Sequence, residues 1–77
     1  MEIKILTFGQ ITDITDKSEF KLVGVNTTEE LNAKLAELFP ELPSIKYSVA
    51  VNKKIVRENT KLNNEDEVAL LPPFSGG

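Results

Sequence analysis

Apolar and polar residues alternate with a period of two at the start of the chain. This alternation in residues 1–8 predicts a β-strand with Ile3 and Ile5 on one face. Leu6 and Phe8 fall on the opposite face. A strand with apolar residues on both faces is covered on both sides, or belongs to a sheet that another protein covers. The first strand therefore indicates a sheet whose second face is not simply solvated.

Further strands are predicted at residues 18–23, 47–56 and 68–71. The middle segment contains two β-rich runs around Asn52-Lys53, which is typical of a tight hairpin. Residues 10–17 hold two isoleucines three positions apart among Thr and Asp residues that favour turns, so we expect an irregular loop with room for one helical turn. In the polar segment before the last strand, Leu62 is predicted to be a lone anchor into the core.

One helix is predicted in the middle of the chain. Thr27 with Glu30 three residues later forms a capping box, which marks the helix start. Pro40 ends the helix near Leu38 or Phe39. Leucines recur along a single predicted apolar stripe: Leu31, Leu35, Leu38 and Leu42.

The predicted order of elements is β-β-α-β-β-β. The fold class is therefore α+β, with a mixed sheet of about five strands packed on one main helix. Parallel pairing of the first strand with the last would place both at the centre of the sheet. This arrangement is the ubiquitin-like β-grasp. We expect the domain to span residues 1–71, followed by a flexible, extended tail over residues 72–77.

Composition excludes most kinds of catalytic site. The 77 residues include no cysteine and no histidine, so a thiolate nucleophile, an imidazole base and a Cys/His metal site are ruled out. The net charge of −3 argues against a nucleic-acid binder. The acidic residues 65–67 predict a solvated loop instead of a metal site. No apolar run has the roughly 18 residues that cross a membrane. We expect a soluble, cytoplasmic, non-catalytic module with no metal site.

The C-terminal residues are the candidate functional site. Pro72-Pro73 favours an extended backbone that leads away from the last strand. Gly76-Gly77 has no Cβ atom to block passage through a narrow channel. A carboxylate on such an arm can be adenylated inside another protein, and sulfide can then displace AMP. This chemistry needs no catalytic side chain on the chain itself.

Residues 66–77, which read Asp-Glu-Val-Ala-Leu-Leu-Pro-Pro-Phe-Ser-Gly-Gly, closely resemble the C-terminal signature of the small subunits of molybdopterin synthase. The stretch from Val51-Asn52 through Thr60-x-Leu62 and the opening residues 3–10 also resemble that family. The tail is the specific part of the resemblance, whereas the remainder is general β-grasp patterning. Members of the family often have Gly just before Asp-Glu-Val, where this chain has Glu65, so we expect Asn64 to take the positive-φ position instead.

The resemblance implies a sulfur carrier in molybdenum cofactor synthesis. An E1-like adenylyltransferase would use ATP to adenylate Gly77, and a sulfurtransferase system would convert it to a thiocarboxylate. The thiocarboxylate would donate sulfur to cyclic pyranopterin monophosphate and so form the molybdopterin dithiolene. The partner would be the large synthase subunit, in a heterotetramer of two small and two large subunits. Catalytic residues would lie on the large subunit, and this chain would hold no bound cofactor.

The resemblance also assigns roles to individual residues. Gly77 would be the adenylated and sulfur-bearing residue, and Gly76 the channel residue before it. Phe74, flanked by Pro73 and Ser75, would pack at the mouth of the partner's pocket. A partner interface is expected on an outward sheet face: Leu6, Phe8 and Leu70.

Three other functions remain open from the sequence. The chain could be another Gly-Gly sulfur carrier, for thiazole synthesis or tRNA thiolation, although the Leu-Pro-Pro-Phe-Ser spacer speaks against the thiazole carrier. It could be a ubiquitin-like modifier that forms isopeptide bonds through Gly77. It could also be a plain binding module whose tail is inert.

Overall fold

The computed structural model describes residues 2–73, and in them the chain forms five strands, two α-helices and a short 3-10 helix. The elements are β1 (Glu2–Thr7), α1 (Gln10–Thr15), β2 (Glu19–Val23), α2 (Thr28–Leu38), the 3-10 helix (Leu42–Ser44), β3 (Ser48–Val51), β4 (Lys54–Val56) and β5 (Glu67–Leu71). The predicted α+β class and the sheet packed on one main helix are confirmed.

The strands form one mixed sheet in the order β2-β1-β5-β3-β4. β1 pairs antiparallel with β2 and parallel with β5, and β3 pairs antiparallel with β4 and β5. The predicted parallel pairing of the first and last strands is therefore confirmed. This topology is the ubiquitin-like β-grasp, with β5 as the middle strand.

The hydrophobic core lies between one face of the sheet and the helices. Strand residues such as Ile5 and Val68 pack there against Leu31 and Leu35 of α2 and against Leu42. Leu62 is 1% exposed, as its predicted role as an anchor requires. The main helix begins with the predicted cap. The Thr27 Oγ1 atom accepts a hydrogen bond from the Glu30 backbone N–H at 3.2 Å.

Leu70 does not lie on the outward face with Leu6, and this expectation was wrong. Its side chain is fully buried in the core, because parallel pairing places Leu70 beside the buried Thr7. Residues 68–71 are all apolar, so alternation alone does not show which pair faces the core. The structure places Ala69 and Leu71 on the outward side instead.

The segment predicted as an irregular loop contains the helix α1. Ile11 is fully buried, and Ile14 packs against the same core, so burial stabilises a turn that the local sequence disfavours. The Thr side chains find internal partners: Thr7 Oγ1 lies 2.9 Å from Thr12 Oγ1, and Thr15 Oγ1 donates to the Lys17 carbonyl at 2.8 Å.

Two other local expectations differ from the structure. Glu65, not Asn64, has positive φ, at 69°. Leu38 is 44% exposed, so the leucine stripe of α2 leaves the core before the helix ends. Within residues 2–73, no helix combines the length and apolar character needed to cross a membrane.

Candidate functional site

The predicted reactive tail falls mostly beyond the part of the chain that can be described. Gly76 and Gly77, with Phe74 and Ser75, lie outside the described residues. β5 ends at Leu71, the half-buried Pro72 follows it, and the exposed Pro73 is the last described residue. We call the end of β5, at Leu71 and Pro72, the exit point, and the candidate site is the surface around it.

A row of apolar residues crosses the sheet on the face opposite the core. Strand pairing joins Leu6 to Ala69, Ala69 to Ala50, and Ala50 to Ile55, across four neighbouring strands. We call these four residues the outer row. Leu71 lies on the same face, two residues beyond Ala69.

No helix covers the outer row in the part of the chain that the structure describes. α1, α2 and the 3-10 helix all contribute side chains to the core on the opposite face. Ile55 is 52% exposed, Leu6 and Ala69 are half-buried, and the small Ala50 is buried. A contiguous apolar surface of this kind is typical of a face that binds another protein.

Charged residues border the outer row on the β2 side. Lys4 and Glu19 form an ion pair with N···O 3.5 Å, and Lys21 and Glu2 form another at 3.7 Å. Exposed pairs of this kind contribute little to the free energy of folding. They form a polar border beside an apolar centre, as in many protein–protein interfaces.

Phe8 extends this apolar surface to the exit point of the C-terminal residues. It directly follows β1 and is 46% exposed. Because β1 and β5 are parallel, both strands end at the same edge of the sheet, where Gly9 lies near Pro72. A Cβ atom built on Gly9 would lie 3.4 Å from Pro72 Cγ. The apolar surface and Pro72, which follows the last strand, are thus neighbours.

Among residues 2–73, no group of three or more acidic residues is placed to hold a metal ion. The residues that the sequence analysis associated with the interface are partly brought together: Leu6 and Phe8 adjoin the exit point, whereas Leu70 is in the core.

Sequence reasoning missed most of the outer row. Ala50 and Ile55 could have been found from the Asn52-Lys53 turn, since a two-residue loop fixes which residues of the two strands face each other. Ala69 and Leu71 carried no such signal, because their strand is apolar on both faces.

Known proteins are similar in sequence to this chain over its whole length. The ThiS family matches residues 5–77. A molybdopterin synthase sulfur carrier subunit from Chlamydomonas reinhardtii is 36% identical over 83 residues, with all of both chains covered. One from Arabidopsis thaliana is 30% identical and covers all of this chain and 84% of that protein.

Solved structures show the same fold. Subunits 1 and 2 of the molybdopterin-converting factor from Helicobacter pylori form a complex in which the matching chain is 30% identical, with a TM-score of 0.75 and full coverage of both chains. The small archaeal modifier protein 1 of Methanosarcina acetivorans has a TM-score of 0.84 at 22% identity, covering 99% of this chain and 96% of that chain, and this similarity concerns the fold alone. The chain therefore belongs to the ThiS family, alongside the molybdopterin synthase sulfur carrier subunits.

Proposed function

We propose that this chain is the sulfur carrier, or small subunit, of a molybdopterin synthase, and that it delivers sulfur on the carboxyl group of Gly77. The main support for the proposal is the position of the apolar outer row, which no described helix covers. It adjoins Phe8 and the point where the chain leaves β5 at Pro72. Full-length relatives that are sulfur carrier subunits support the same function.

The first step of the proposed chemistry activates the chain end. A Gly77 carboxylate oxygen attacks the α-phosphorus of ATP on an E1-like adenylyltransferase, which forms an acyl adenylate and releases pyrophosphate. Sulfide supplied by a sulfurtransferase system then attacks the acyl carbon, a C–S bond forms, and AMP leaves as the C–O bond to its phosphate breaks. The product is a thiocarboxylate in which one oxygen of Gly77 is replaced by sulfur.

The second step takes place on a larger partner. The outer row docks on the large synthase subunit, in a heterotetramer of two small and two large subunits. The tail then places the thiocarboxylate beside cyclic pyranopterin monophosphate. The thiocarboxylate sulfur attacks a side-chain carbon of the pterin, and a C–S bond forms as the C–O bond on that carbon breaks and its oxygen group leaves. Water then cleaves the acyl–sulfur bond, which restores the carboxylate of Gly77 and leaves one half of the dithiolene on the pterin. The large subunit supplies the catalytic side chains, and this chain supplies position and sulfur.

Intact-mass measurement tests the proposal directly. Incubation with the activating enzyme, ATP and a sulfur source is expected to raise the mass of the chain by the difference between one sulfur and one oxygen atom, located at Gly77. Deletion of Gly76-Gly77 is expected to abolish this gain, because the new terminal carboxylate, on Ser75, is two residues too short and lacks the channel residues. A chain with a C-terminal carboxamide on Gly77 is the matched control, since it keeps every side chain and blocks only the reacting group.

Two results would contradict the proposal. One is a carboxamide chain that still supports dithiolene formation. The other is an unmodified chain that gains no sulfur while it accumulates in covalent conjugates with other proteins, which would identify a ubiquitin-like modifier.

A further inference from the structure

We propose that the free edge of β4 is a second docking site, at which an extended acidic segment of a partner protein binds as an added strand. β4 is the last strand in the sheet order, so within residues 2–73 it pairs with β3 alone. The backbone groups on its other side are open to a chain that lies beside it. Gly77 takes no part in this binding, which therefore goes beyond the proposed function.

The register of the sheet shows which backbone groups of β4 are free. The Asn52 N–H donates to the Glu67 carbonyl of β5 at 2.8 Å. Successive residues of an antiparallel strand direct their N–H and C=O groups to alternate sides. Asn52 thus faces β5, and the neighbouring Val51 faces β4, where its register partner is Lys54. Ile55, one residue further along β4, therefore directs its N–H and C=O groups away from the sheet.

Positive charge is concentrated along this edge. Lys53, Lys54 and Arg57 are all exposed, and neither of the ion pairs within residues 2–73 involves any of them. The opposite edge of the sheet differs, because Lys21 of β2 is paired with Glu2 of the neighbouring strand. Cations without ion-pair partners on the β4 edge favour a segment that carries carboxylates.

A groove at the end of β4 provides a place for one carboxylate. It is a cavity of about 280 Å³ whose lining includes Asn32 of α2, Ser48 of β3 and Arg57. Among the described residues that line it, Arg57 has the one charged side chain, whereas Glu29 and Glu58 line the neighbouring cavity. A guanidinium group binds a carboxylate through two parallel hydrogen bonds. An Asp or Glu of the added strand is therefore expected against Arg57.

The remaining side chains favour an apolar partner and disfavour a second copy of this chain. Ile55 is 52% exposed, and an apolar residue of the added strand is expected opposite it. Antiparallel pairing of two β4 strands about Ile55 would instead place Lys53 of one copy opposite Arg57 of the other, and like charges directly opposite are destabilising. A segment in which acidic and apolar residues alternate avoids this repulsion.

Binding of a synthetic peptide tests the proposal. The probe is acetyl-Glu-Val-Glu-Val-Glu-amide, added to the full chain and followed by NMR. Its matched control has the same sequence with N-methyl groups on the internal amides, which keep every side chain and charge but donate no backbone hydrogen bond. We expect the probe to bind and the N-methylated peptide to bind at least about tenfold more weakly, because the added strand loses its pairing with β4.

Two charge-reversal variants locate the site. Arg57→Glu is expected to weaken binding of the probe by about tenfold or more, because it replaces the cation of the groove with a like charge. Lys17→Glu is the matched control. It makes the same change in net charge at an exposed residue between α1 and β2, on the far side of the sheet, and should leave the affinity nearly unchanged.

Amide hydrogen exchange provides a readout that charge attraction alone does not change. The Ile55 N–H is expected to exchange more slowly in the presence of the probe, whereas the Lys54 N–H, which already faces β3, should keep its rate. Equal binding of the probe and its N-methylated control, or equal weakening by Arg57→Glu and Lys17→Glu, would overturn the inference. Absence of binding, or sedimentation that shows a dimer joined through this edge, would overturn it as well.

Discussion

Lys53 has a backbone conformation that its side chain disfavours. It forms the two-residue turn between β3 and β4 with Asn52, and the two residues have φ values of 73° and 48°. Positive φ at both central positions is the type I′ pattern, in which the second position strongly favours glycine. Lys53 therefore carries a conformational cost that Gly would remove.

Replacement of Lys53 by Gly is expected to raise the free energy of unfolding by roughly 1 kcal/mol, the order of the cost of left-handed backbone for an L-residue. Lys54→Gly is the matched control. It makes the same chemical change one position later, in β4 and without positive φ, and should lower stability by about 0.5–1 kcal/mol. Urea unfolding measures both variants. A change of the same sign in both would contradict the conformational explanation.

At the scale of single residues, the sequence predicts a residue's structural role correctly where that role follows from the chemistry of the residue and its neighbours in the chain. The Asn52-Lys53 turn, the Thr27 cap and the Leu62 anchor were all predicted and are confirmed. The burial of Leu70 and the positive φ of Glu65 were not predicted, because they depend on strand register and on hydrogen bonds between distant segments. The Glu65 N–H, for example, donates to the Glu2 carbonyl.

Tyr47 links the segment before β3 to the main helix. Its hydroxyl donates a hydrogen bond to Asn32 Oδ1 of α2 at 3.0 Å. Burial raises the pKa of Tyr47 above its ordinary value, because the phenolate form is poorly solvated there. The folded state therefore favours the neutral phenol more strongly than the unfolded chain does.

This pKa shift predicts a loss of stability at alkaline pH. The contribution is fully present below the pKa of Tyr47 in the unfolded chain, about 10, and is lost as pH rises through the higher pKa of the folded state. Tyr47→Phe should remove this part of the pH dependence, because phenylalanine has no group that ionises. Unfolding free energies measured between neutral and strongly alkaline pH test this. Parallel curves for the two proteins would contradict the link between burial and titration.

At the scale of secondary-structure elements, hydrophobic periodicity was sufficient to predict the strands and the main helix, but it was not sufficient to predict α1. The Thr and Asp residues of that segment favour turns in isolation. The helix forms because Ile11 is buried and because Thr7, Thr12 and Thr15 bond to each other and to the Lys17 carbonyl. These are tertiary effects, which a local pattern does not contain.

At the scale of the whole molecule, one side carries the outer row and the opposite side carries α2. Phe8 and Leu38 are exposed apolar residues on these two sides, so a substitution at each tests which side binds the large subunit. Phe8 is 46% exposed beside the exit point of the tail, and Leu38 is 44% exposed at the end of α2. Phe8→Asp should weaken binding of the large subunit by about tenfold or more, as loss of a central apolar contact does. Leu38→Asp introduces the same charge and should leave the affinity unchanged.

Titration calorimetry with the purified large subunit measures both affinities, and circular dichroism checks that both variants are folded. Equal weakening by the two substitutions would show that charge or stability, and not the outer face, determines binding. The sequence predicted that the first strand would have a second, partner-facing side. It could not show how far that side extends, because the outer row is assembled from four strands.

The middle position of β5 has a consequence for the order in which the protein is made. β5 separates the β1–β2 hairpin from the β3–β4 hairpin, so the two hairpins have no direct pairing in the sheet. A nascent chain on the ribosome lacks this joining strand until translation has reached Leu71. The outer row and the C-terminal residues are consequently completed within a few codons of each other, and a product that terminates before β5 has no assembled outer row.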